Sequence, residues 1–383
     1  MNYFGYKRKD GKVGIRNYIV VISTVQCANN VAIRIAEKAE AIPIVHDFGC
    51  MESDAASERT KLGLYGAINN PNVYGVVVVG LGCEQVDAEE LYSYSLGLGK
   101  DTYKLLVQDY ESPLEAIEQG VSYVNSIKEN AMKLEREEVD LKNLVVGVQC
   151  GGSDWTTAIA GNTAIGVMTD KIISQGGSVL MSEVAGFPGS EHIVAERGKT
   201  KEVGKDILDM VKNLREEFYR KNNQTIEDVN PTPGNKKGGI TTLVEKSMGN
   251  VKKMGSSEIQ GIIHLGEEIP YPGLWILDTR EQGPDSFVTT AFAMSGANIT
   301  AFSTGRGSPI GNAIMPLCKI TGNPETYKKL NGIMDFNAGR VIEGEEMEKV
   351  GEDLFNKILD ISNGETTKSE INMNFDYTTP RDF

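Results

Sequence analysis

VYGVVVVG, at residues 73–80, is apolar along almost its whole length, as a strand is when both faces of its sheet are covered. On either side of it, short apolar runs alternate with stretches whose apolar residues recur at helical spacing. Examples are the run NYIVVIS (17–23), the helical stretch 28–41 and the run YKLLV (103–107). This pattern predicts a doubly wound α/β domain built on a parallel sheet.

A charged stretch at 133–143 separates this series from a second one, which begins with LVVGV (144–148) and includes LWILD (274–278). A chain of 383 residues is long enough for two or three domains that each bury a core. We therefore expect an α/β protein with two domains and mainly parallel sheets, the first of them doubly wound. The predicted domains span residues 1–137 and 143–383.

The charge and the terminal sequence exclude some classes of partner. The 53 acidic and 39 basic residues give a formal net charge of −14, which argues against nucleic acid or an anionic membrane. No stretch approaches the ~20 apolar residues of a membrane span, and the N-terminus lacks the apolar core of a signal peptide. We therefore predict a cytoplasmic protein. A few local cations can still bind a small anionic substrate.

Three of the five cysteines, Cys50, Cys83 and Cys150, follow predicted strands and stand beside glycine. Ligands bind beyond the carboxyl ends of strands in open α/β sheets, so these thiols are candidate metal ligands. Thiolates without paired CxxC motifs fit iron better than structural zinc, either as an iron–sulfur cluster or as Fe²⁺ with other ligands. His46, four residues before Cys50, is a candidate for ligation or proton transfer.

The segment NPTPGNKKGGITT (230–242) is rich in Gly, Pro and Asn, and we expect neither helix nor strand there. Lys236 and Lys237 stand among glycines that expose backbone N–H groups, a combination that binds anions. The spacing is not that of a P-loop. Glu245 and Lys246 follow as a neighbouring acid and base.

A second glycine-rich loop, FSTGRGSPIGN (302–312), follows another predicted strand. It supplies Thr304 and Arg306, and an arginine can hold a carboxylate through two hydrogen bonds. Asp154, soon after Cys150, is a further candidate for binding a substrate hydroxyl. Together the two loops offer what a sugar acid requires, namely cations for its carboxylate and polar partners for its hydroxyls.

Several motifs resemble those of the altronate/galactarate dehydratase family, also called the altronate hydrolase family. In order along nearly the whole chain they are GYKRKDGKVGIRN (5–17), HDFGC (46–50), GLGCE (80–84), QCGGSD (149–154), NPTPGNKKGGITTLVEKSMG (230–249), FSTGRG (302–307) and MDFNAGRV (334–341). The resemblance implies an iron-dependent lyase that removes water from a hexonate or hexarate to give a 2-keto-3-deoxy acid. Similar family members act on sulfolactate and eliminate sulfite.

The resemblance also implies a partner. In longer relatives a small N-terminal SAF domain precedes the GYKRKDGKVGIRN motif, which begins here at residue 5. We therefore expect a large subunit that works with a separate small SAF-domain subunit in an oligomer.

The chemistry of β-elimination suggests roles for the candidate residues. The carbanion next to a carboxylate needs a metal or fixed cations to stabilise it as an enediolate. Iron near the three cysteines would bind the C3 hydroxyl, and Arg306 with Lys236 or Lys237 would anchor the carboxylate. The candidates for the base that takes the C2 proton are Lys246, Glu245 and His46.

Two other classes of function fit parts of the sequence. A noncatalytic sugar-acid-binding subunit would need the same loops, but the cysteines at strand ends argue against it. A dinucleotide-dependent oxidoreductase would fit a doubly wound first domain. However, STVQCANN (23–30) stands where a GxGxxG loop would follow the first strand, which argues against a dinucleotide.

Overall fold

A computed structural model describes residues 1–279 and 284–380. Its strands are β1 (Asn2–Lys7), β2 (Val13–Gly14), β3 (Tyr18–Ser23), β4 (Ile42–Ile44), β5 (Val73–Gly80), β6 (Asp101–Leu106), β7 (Glu137–Asp140), β8 (Val145–Cys150), β9 (Ser178–Met181), β10 (Ile259–His264), β11 (Leu274–Asp278), β12 (Ile299–Ser303), β13 (Leu317–Thr321) and β14 (Phe336–Asn337). Its α-helices are α1 (Asn29–Lys38), α2 (Asp54–Asn69), α3 (Ala88–Gly97), α4 (Pro113–Ala131), α5 (Asn162–Ser174), α6 (Glu191–Ala195), α7 (Lys201–Asn222), α8 (Ile226–Val229), α9 (Pro233–Lys237), α10 (Leu243–Asn250), α11 (Asp285–Met294), α12 (Pro324–Lys329), α13 (Met347–Ser362) and α14 (Lys368–Ile371).

The first sheet has four parallel strands in the order β4-β3-β5-β6. Helices α1 and α4 cover one face, and α2 and α3 cover the other. Val76 to Val79 of the central strand β5 are fully buried, because helices lie on both sides of it. The predicted doubly wound first domain is confirmed.

The second sheet has seven strands in the order β10-β11-β9-β8-β12-β13-β14, all parallel. The chain runs outward from β8 to one side through β9 and later continues on the other side with β12. The carboxyl ends of β8 and β12 therefore flank a topological switch point, where open α/β sheets bind ligands. The predicted α/β class with parallel sheets is confirmed in both halves.

A small antiparallel sheet joins the two halves, in the order β2-β1-β7. Its strand β7 lies within the charged stretch 133–143. Buried amides also cross between the halves: Asn70 Nδ2 donates to the carbonyls of Ala293 and Ala297 at 2.8 and 3.0 Å. Because α2 packs on α11 there, the two halves share one hydrophobic cluster.

The expectation that residues 230–242 form no helix is wrong, because α9 occupies five of them. Thr232 caps this helix, accepting the amide of Asn235 while the Asn235 side chain accepts the amide of Thr232. Pro233 fills the first helical position, where a missing N–H costs nothing. Local capping thus overrides a composition that disfavours helices.

Candidate active site

A cavity of about 580 Å³ opens at the carboxyl edge of the second sheet. Residues at or just beyond the ends of four strands line it: Cys150 ends β8, Glu183 follows β9, Asp278 ends β11 and Arg306 follows β12. Lys246 from α10 completes the wall. The cavity therefore lies at the switch point between β8 and β12.

Lys246 and Arg306, both named from the sequence, line this cavity and are held by one short segment. Lys246 Nζ donates to Asn230 Oδ1 at 2.8 Å and contacts Asn235 Oδ1 at 3.4 Å. Arg306 Nη1 donates to the carbonyl of Gly234 at 2.5 Å. The NPTPGN motif thus holds two cations that line the same cavity, and a carboxylate can bind between such cations.

Cys150 lies against a buried ion pair. Lys253 is fully buried, and its ammonium contacts the Glu183 carboxylate and lies 3.1 Å from Cys150 Sγ. Burial by itself lowers the pKa of Lys253. The nearby Cys150 and Glu183 together have a larger, opposite effect, so the pKa of Lys253 lies above its usual value. Asn250 Oδ1 is 3.8 Å from the same sulfur. Lys253 therefore stays charged beside the thiol.

Glu183 holds its place through backbone geometry that is rare for a side-chain-bearing residue. Its φ of 59° lies in the left-handed region, a conformation that concentrates at functional sites. The Cys150 amide donates to Glu183 Oε2 at 3.0 Å. This turn directs the Glu183 carboxylate between Cys150 and Lys253, at the wall of the cavity.

Asp285 is the cavity residue with the most altered acidity. Burial and the nearby Glu183 carboxylate raise its pKa to about 6, although Lys246 and a hydrogen bond from Gln149 oppose the shift. Gln149 Nε2 donates to Asp285 Oδ1 at 3.2 Å. A carboxyl group with a pKa near 6 exchanges protons readily close to neutral pH.

Asp154 and Thr304, two predicted substrate-binding residues, support the turns beside the cavity. Asp154 Oδ1 accepts hydrogen bonds from Thr156 Oγ1 at 2.5 Å and from the Thr157 amide at 3.0 Å. Thr304 Oγ1 accepts the amide of Gly307 at 3.0 Å, which fixes the turn that carries Arg306. Both residues are buried, and neither lines the cavity.

Four other predicted site residues lie outside the cavity wall. Lys236 and Lys237 are exposed on α9. The Glu245 carboxylate accepts the amides of Thr241 and Thr242 in a capping box, and these bonds lower its pKa. His46 is buried in the first domain, where its Nε2 lies 3.0 Å from the Ser23 carbonyl. Of the three candidate bases, Lys246 is the one that lines the cavity.

Cys50 and Cys83 are exposed in adjoining loops of the first sheet, joined where the Gln85 amide donates to the Gly49 carbonyl at 2.9 Å. Glu84 occupies the centre of this edge: its carboxylate accepts the amides of Leu81, Gly82 and Cys83 at 3.1, 2.6 and 2.9 Å. The amides that would face a ligand are therefore already paired.

The residues described do not fit iron held jointly by the three cysteines. Cys150 contacts an ammonium in the second domain, whereas Cys50 and Cys83 are exposed on the first. Within residues 1–279 and 284–380, no three His, Cys, Asp or Glu side chains are grouped so that they could hold a metal ion. No step below runs through a metal, and iron binding stays a prediction.

Sequence reasoning missed Glu183, Lys253 and Asp285. Glu183 ends the stretch GSVLMSE (177–183), whose apolar run forms β9, so its place at a strand end was a usable signal. Lys253 and Asp285 carry no such signal, because a lysine after a helix and an aspartate at a helix start usually face solvent. Only the tertiary structure places them at Cys150 and in the cavity.

Residues 5–132 match the family described as D-galactarate dehydratase/altronate hydrolase, second domain. Residues 141–381 match D-galactarate/altronate dehydratase, C-terminal. The chain belongs to the D-galactarate/altronate dehydratase family. The resemblance inferred from the motifs is confirmed, and with it the class of carbon–oxygen lyase.

Relatives of known name cover most of the chain. It is 32% identical to the altronate dehydratase of Bacillus subtilis, over 96% of this chain and 75% of that one. It is 31% identical to the altronate dehydratase of Escherichia coli over the same shares. The β subunit of (2R)-sulfolactate sulfo-lyase from Chromohalobacter salexigens is 29% identical, over 96% of this chain and 94% of that one. Within the described residues, every helix is too short or too polar to cross a membrane.

Proposed function

We propose that this chain is the large subunit of a sugar-acid dehydratase that converts altronate, or a related hexonate or hexarate, to a 2-keto-3-deoxy acid. The observation that carries the proposal is the cavity that places Lys246 and Arg306 together with Asp285 and Glu183. β-Elimination from a hydroxy acid requires cations for the carboxylate and a proton donor for the departing hydroxyl.

Lys246 and Arg306 bind the carboxylate next to the reacting carbon. Because Asn230 and Gly234 hold them from one segment, their donors converge without a cost of ordering at each turnover. When the C2 proton leaves, negative charge grows on the carboxylate oxygens as the enediolate forms. The same donors then bind more strongly than in the ground state, which lowers the barrier.

Asp285 donates the proton to the C3 hydroxyl, so that the group leaves as water. Its raised pKa keeps a useful fraction protonated near neutral pH, unlike an ordinary aspartate. The resulting enol of the product becomes the keto acid without further catalysis. Among the three bases predicted from the sequence, Lys246 is the one that lines the cavity. Because its ammonium donates to two amide oxygens, we assign it to carboxylate binding rather than to proton removal.

A sulfolactate sulfo-lyase is the second candidate, in which sulfite rather than water leaves. The observation that favours it is the near-complete overlap with the sulfo-lyase subunit, 96% of this chain and 94% of that relative. The chemistry at C2 is the same, and only the leaving group differs.

The proposal includes a small SAF-domain partner subunit within an oligomer, supported by the word "subunit" in the name of the sulfo-lyase relative. It includes a cytoplasmic location, supported by five cysteines that are all free thiols. Iron, as Fe²⁺ or a cluster, is kept as the prediction from the family resemblance and is tested with the activity.

The test is anaerobic purification of the chain, with and without a co-expressed small SAF-domain subunit, followed by iron and sulfide analysis. Altronate, galactarate and sulfolactate are then offered separately. Keto-acid formation from a sugar acid supports the dehydratase, whereas sulfite release supports the sulfo-lyase. Binding of altronate with no turnover in any preparation would instead support a noncatalytic subunit.

A further inference from the structure

Gln149 is the next-to-last residue of β8, one of the two strands that flank the switch point. The residue is fully buried and lines the cavity. Its Oε1 accepts no hydrogen bond from any described residue. A buried carbonyl oxygen without a donor is costly, so a ligand that donates a hydrogen bond here stabilises the site.

Asp285 fixes the orientation of the Gln149 amide group. Gln149 Nε2 donates to Asp285 Oδ1 at 3.2 Å and to the Asp285 backbone carbonyl at 3.4 Å. A backbone carbonyl can only accept, so the amide nitrogen must face it and Oε1 faces away from it. Because both amide atoms are bonded to the same carbon, a donor bound at Oε1 lies beside the Asp285 carboxyl group.

The polar groups near this amide are mainly hydrogen-bond acceptors. Asp285 is bonded to it, and burial together with the nearby Glu183 carboxylate raises the pKa of Asp285, which shows that the two carboxyl groups are close. Lys253 is fully buried and already contacts Glu183. Lys246 and Arg306 also line the cavity, but they bind the substrate carboxylate in the proposed function. A group that binds here therefore does so best as an uncharged hydrogen-bond donor.

We propose that Gln149 selects a hydroxyl group at C3 of the substrate by accepting a hydrogen bond from it at Oε1. The inference rests on the proposed dehydratase function and narrows its substrate class to 2,3-dihydroxy acids. A sulfonate at C3 has acceptor oxygens, a negative charge and no proton to donate. It would leave Gln149 Oε1 unpaired and would face the carboxyl groups of Asp285 and Glu183, which disfavours sulfolactate.

Gln149 forms and breaks no covalent bond in this role. It binds the C3 hydroxyl before elimination and holds that oxygen next to Asp285, the proton donor of the proposed function. Once the oxygen is protonated, the departing water has one hydrogen for Gln149 Oε1 and another for the Asp285 carboxylate. Gln149 is therefore a specificity-determining residue that keeps its contact as the hydroxyl leaves.

The first experiment uses three acids that share a carboxylate and a C2 hydroxyl of the same configuration. Lactate carries only hydrogen at C3, glycerate carries a hydroxyl, and sulfolactate carries a sulfonate. Ligand-observed NMR titration gives the Kd of each acid for wild type, prepared as for the activity test. We expect glycerate to bind about tenfold more tightly than lactate or sulfolactate, because the other two leave the buried acceptor unpaired.

The second experiment repeats the titrations with Gln149→Leu, which removes the acceptor and keeps a side chain of similar size. We expect glycerate and lactate to bind this variant within threefold of each other. Loss of the hydrogen bond to Asp285 alone would weaken all three acids alike and leave the tenfold ratio in place. Gln149→Met is the second variant if melting temperatures show that Gln149→Leu does not fold.

Asn162→Leu is the matched control. Asn162 is also a buried amide, and its Oδ1 likewise accepts no hydrogen bond from the described residues, but it does not line the cavity. This variant should keep the tenfold preference for glycerate over lactate. Loss of the preference in both variants would overturn a specific contact at Gln149.

The outcomes separate this inference from the proposed function. Equal Kd values for glycerate and lactate in wild type, or a tenfold ratio retained in Gln149→Leu, overturn the hydroxyl contact, while turnover of altronate or galactarate upholds the dehydratase. Sulfite release from sulfolactate without keto acid from either sugar acid overturns both. If wild type turns over none of them, the dehydratase is overturned, and a glycerate preference that disappears in Gln149→Leu still supports the contact.

Discussion

Both parallel sheets carry cysteines at or just beyond the carboxyl ends of their strands, but only at the second sheet do the polar groups face a cavity. At the first edge, Glu84 takes three backbone amides and the Thr24 hydroxyl, the latter at 2.8 Å. Thr24 follows β3 and Glu84 follows β5, so this carboxylate bridges the switch point where a doubly wound domain would bind a ligand.

At the second edge the corresponding groups face a cavity. The Arg306 side chain donates a hydrogen bond to the Gly234 carbonyl, and Gln149 Oε1 accepts no hydrogen bond from any described residue. Burial and charge alter the acidity of Asp285 there. A cysteine at a strand end is therefore not by itself a site. What distinguishes a site is whether its donors and acceptors face a cavity or are taken up by the loop itself. In this sense the first edge, around Glu84, is closed, and the second edge, around Cys150 and Arg306, is open.

The largest expected effect that tests this comparison is that of Asp285→Asn at the open edge. Losing the proton donor should lower kcat by about 10²–10⁴-fold. In wild type, kcat/KM should fall as pH rises through about 6, since the donor must be protonated. Steady-state kinetics across pH measure both. A pH profile unchanged in the variant would contradict the role of Asp285.

The same substitution should raise stability. The pKa of Asp285 is raised in the folded chain, so its favourable contribution is full below its unfolded pKa near 4 and is lost as pH rises through about 6. An ionised Asp285 at pH 7.5 therefore costs about 1–3 kcal/mol, which asparagine avoids. Urea unfolding of wild type and variant at pH 4 and pH 7.5 tests the sign of this difference.

A smaller loss is expected for Arg306→Lys. Lysine keeps the charge but not the planar pair of donors, and losing a charge-assisted hydrogen bond costs about 1.5–3 kcal/mol. We expect kcat/KM to fall about 10- to 100-fold. Lys236→Gln is the matched control, because this exposed lysine lies on α9, beside the segment that holds Arg306. Equal effects of the two substitutions would place the anion site on α9 instead.

The sequence predicted the open edge in part. Cys150, Lys246 and Arg306 were found because each stands in or beside a glycine-rich segment after a strand or in a distinctive motif. The alternation of strands and helices sufficed for the α/β class, because covered parallel strands are apolar throughout.

What the sequence could not show depends on tertiary contacts. Lys253 reaches Cys150 across more than a hundred residues of chain, and no local pattern marks that pairing. The motif NPTPGNKKGG suggested its lysines as anion ligands, whereas in the fold its Asn230 and Gly234 hold cations from elsewhere. Capping decided this, since α9 turns Lys236 outward and Asn235 inward.

At the closed edge, Glu84→Gln should affect stability and leave catalysis alone. Hydrogen bonds from the loop amides outweigh burial and lower the pKa of Glu84. A lowered pKa means that its stabilisation is present above the unfolded pKa and is lost as pH falls through the folded one. Because water partly screens this half-exposed carboxylate, we expect only about 1 kcal/mol lower stability at pH 7 and a smaller difference at pH 3, measured by urea unfolding. A tenfold drop in kcat would show that the first edge takes part in catalysis.

The smallest effect is expected for Cys83→Ser. This thiol is exposed beside Glu84, outside the cavity, so its loss should leave kcat/KM within threefold of wild type and bound iron unchanged. Iron analysis and an activity assay of the purified variant together test this prediction. Joint loss of iron and turnover would break the comparison, because the first edge would then supply a metal ligand despite its paired amides. It would also support the cysteine–iron centre predicted from the sequence, in which case the two edges would have to meet around one substrate.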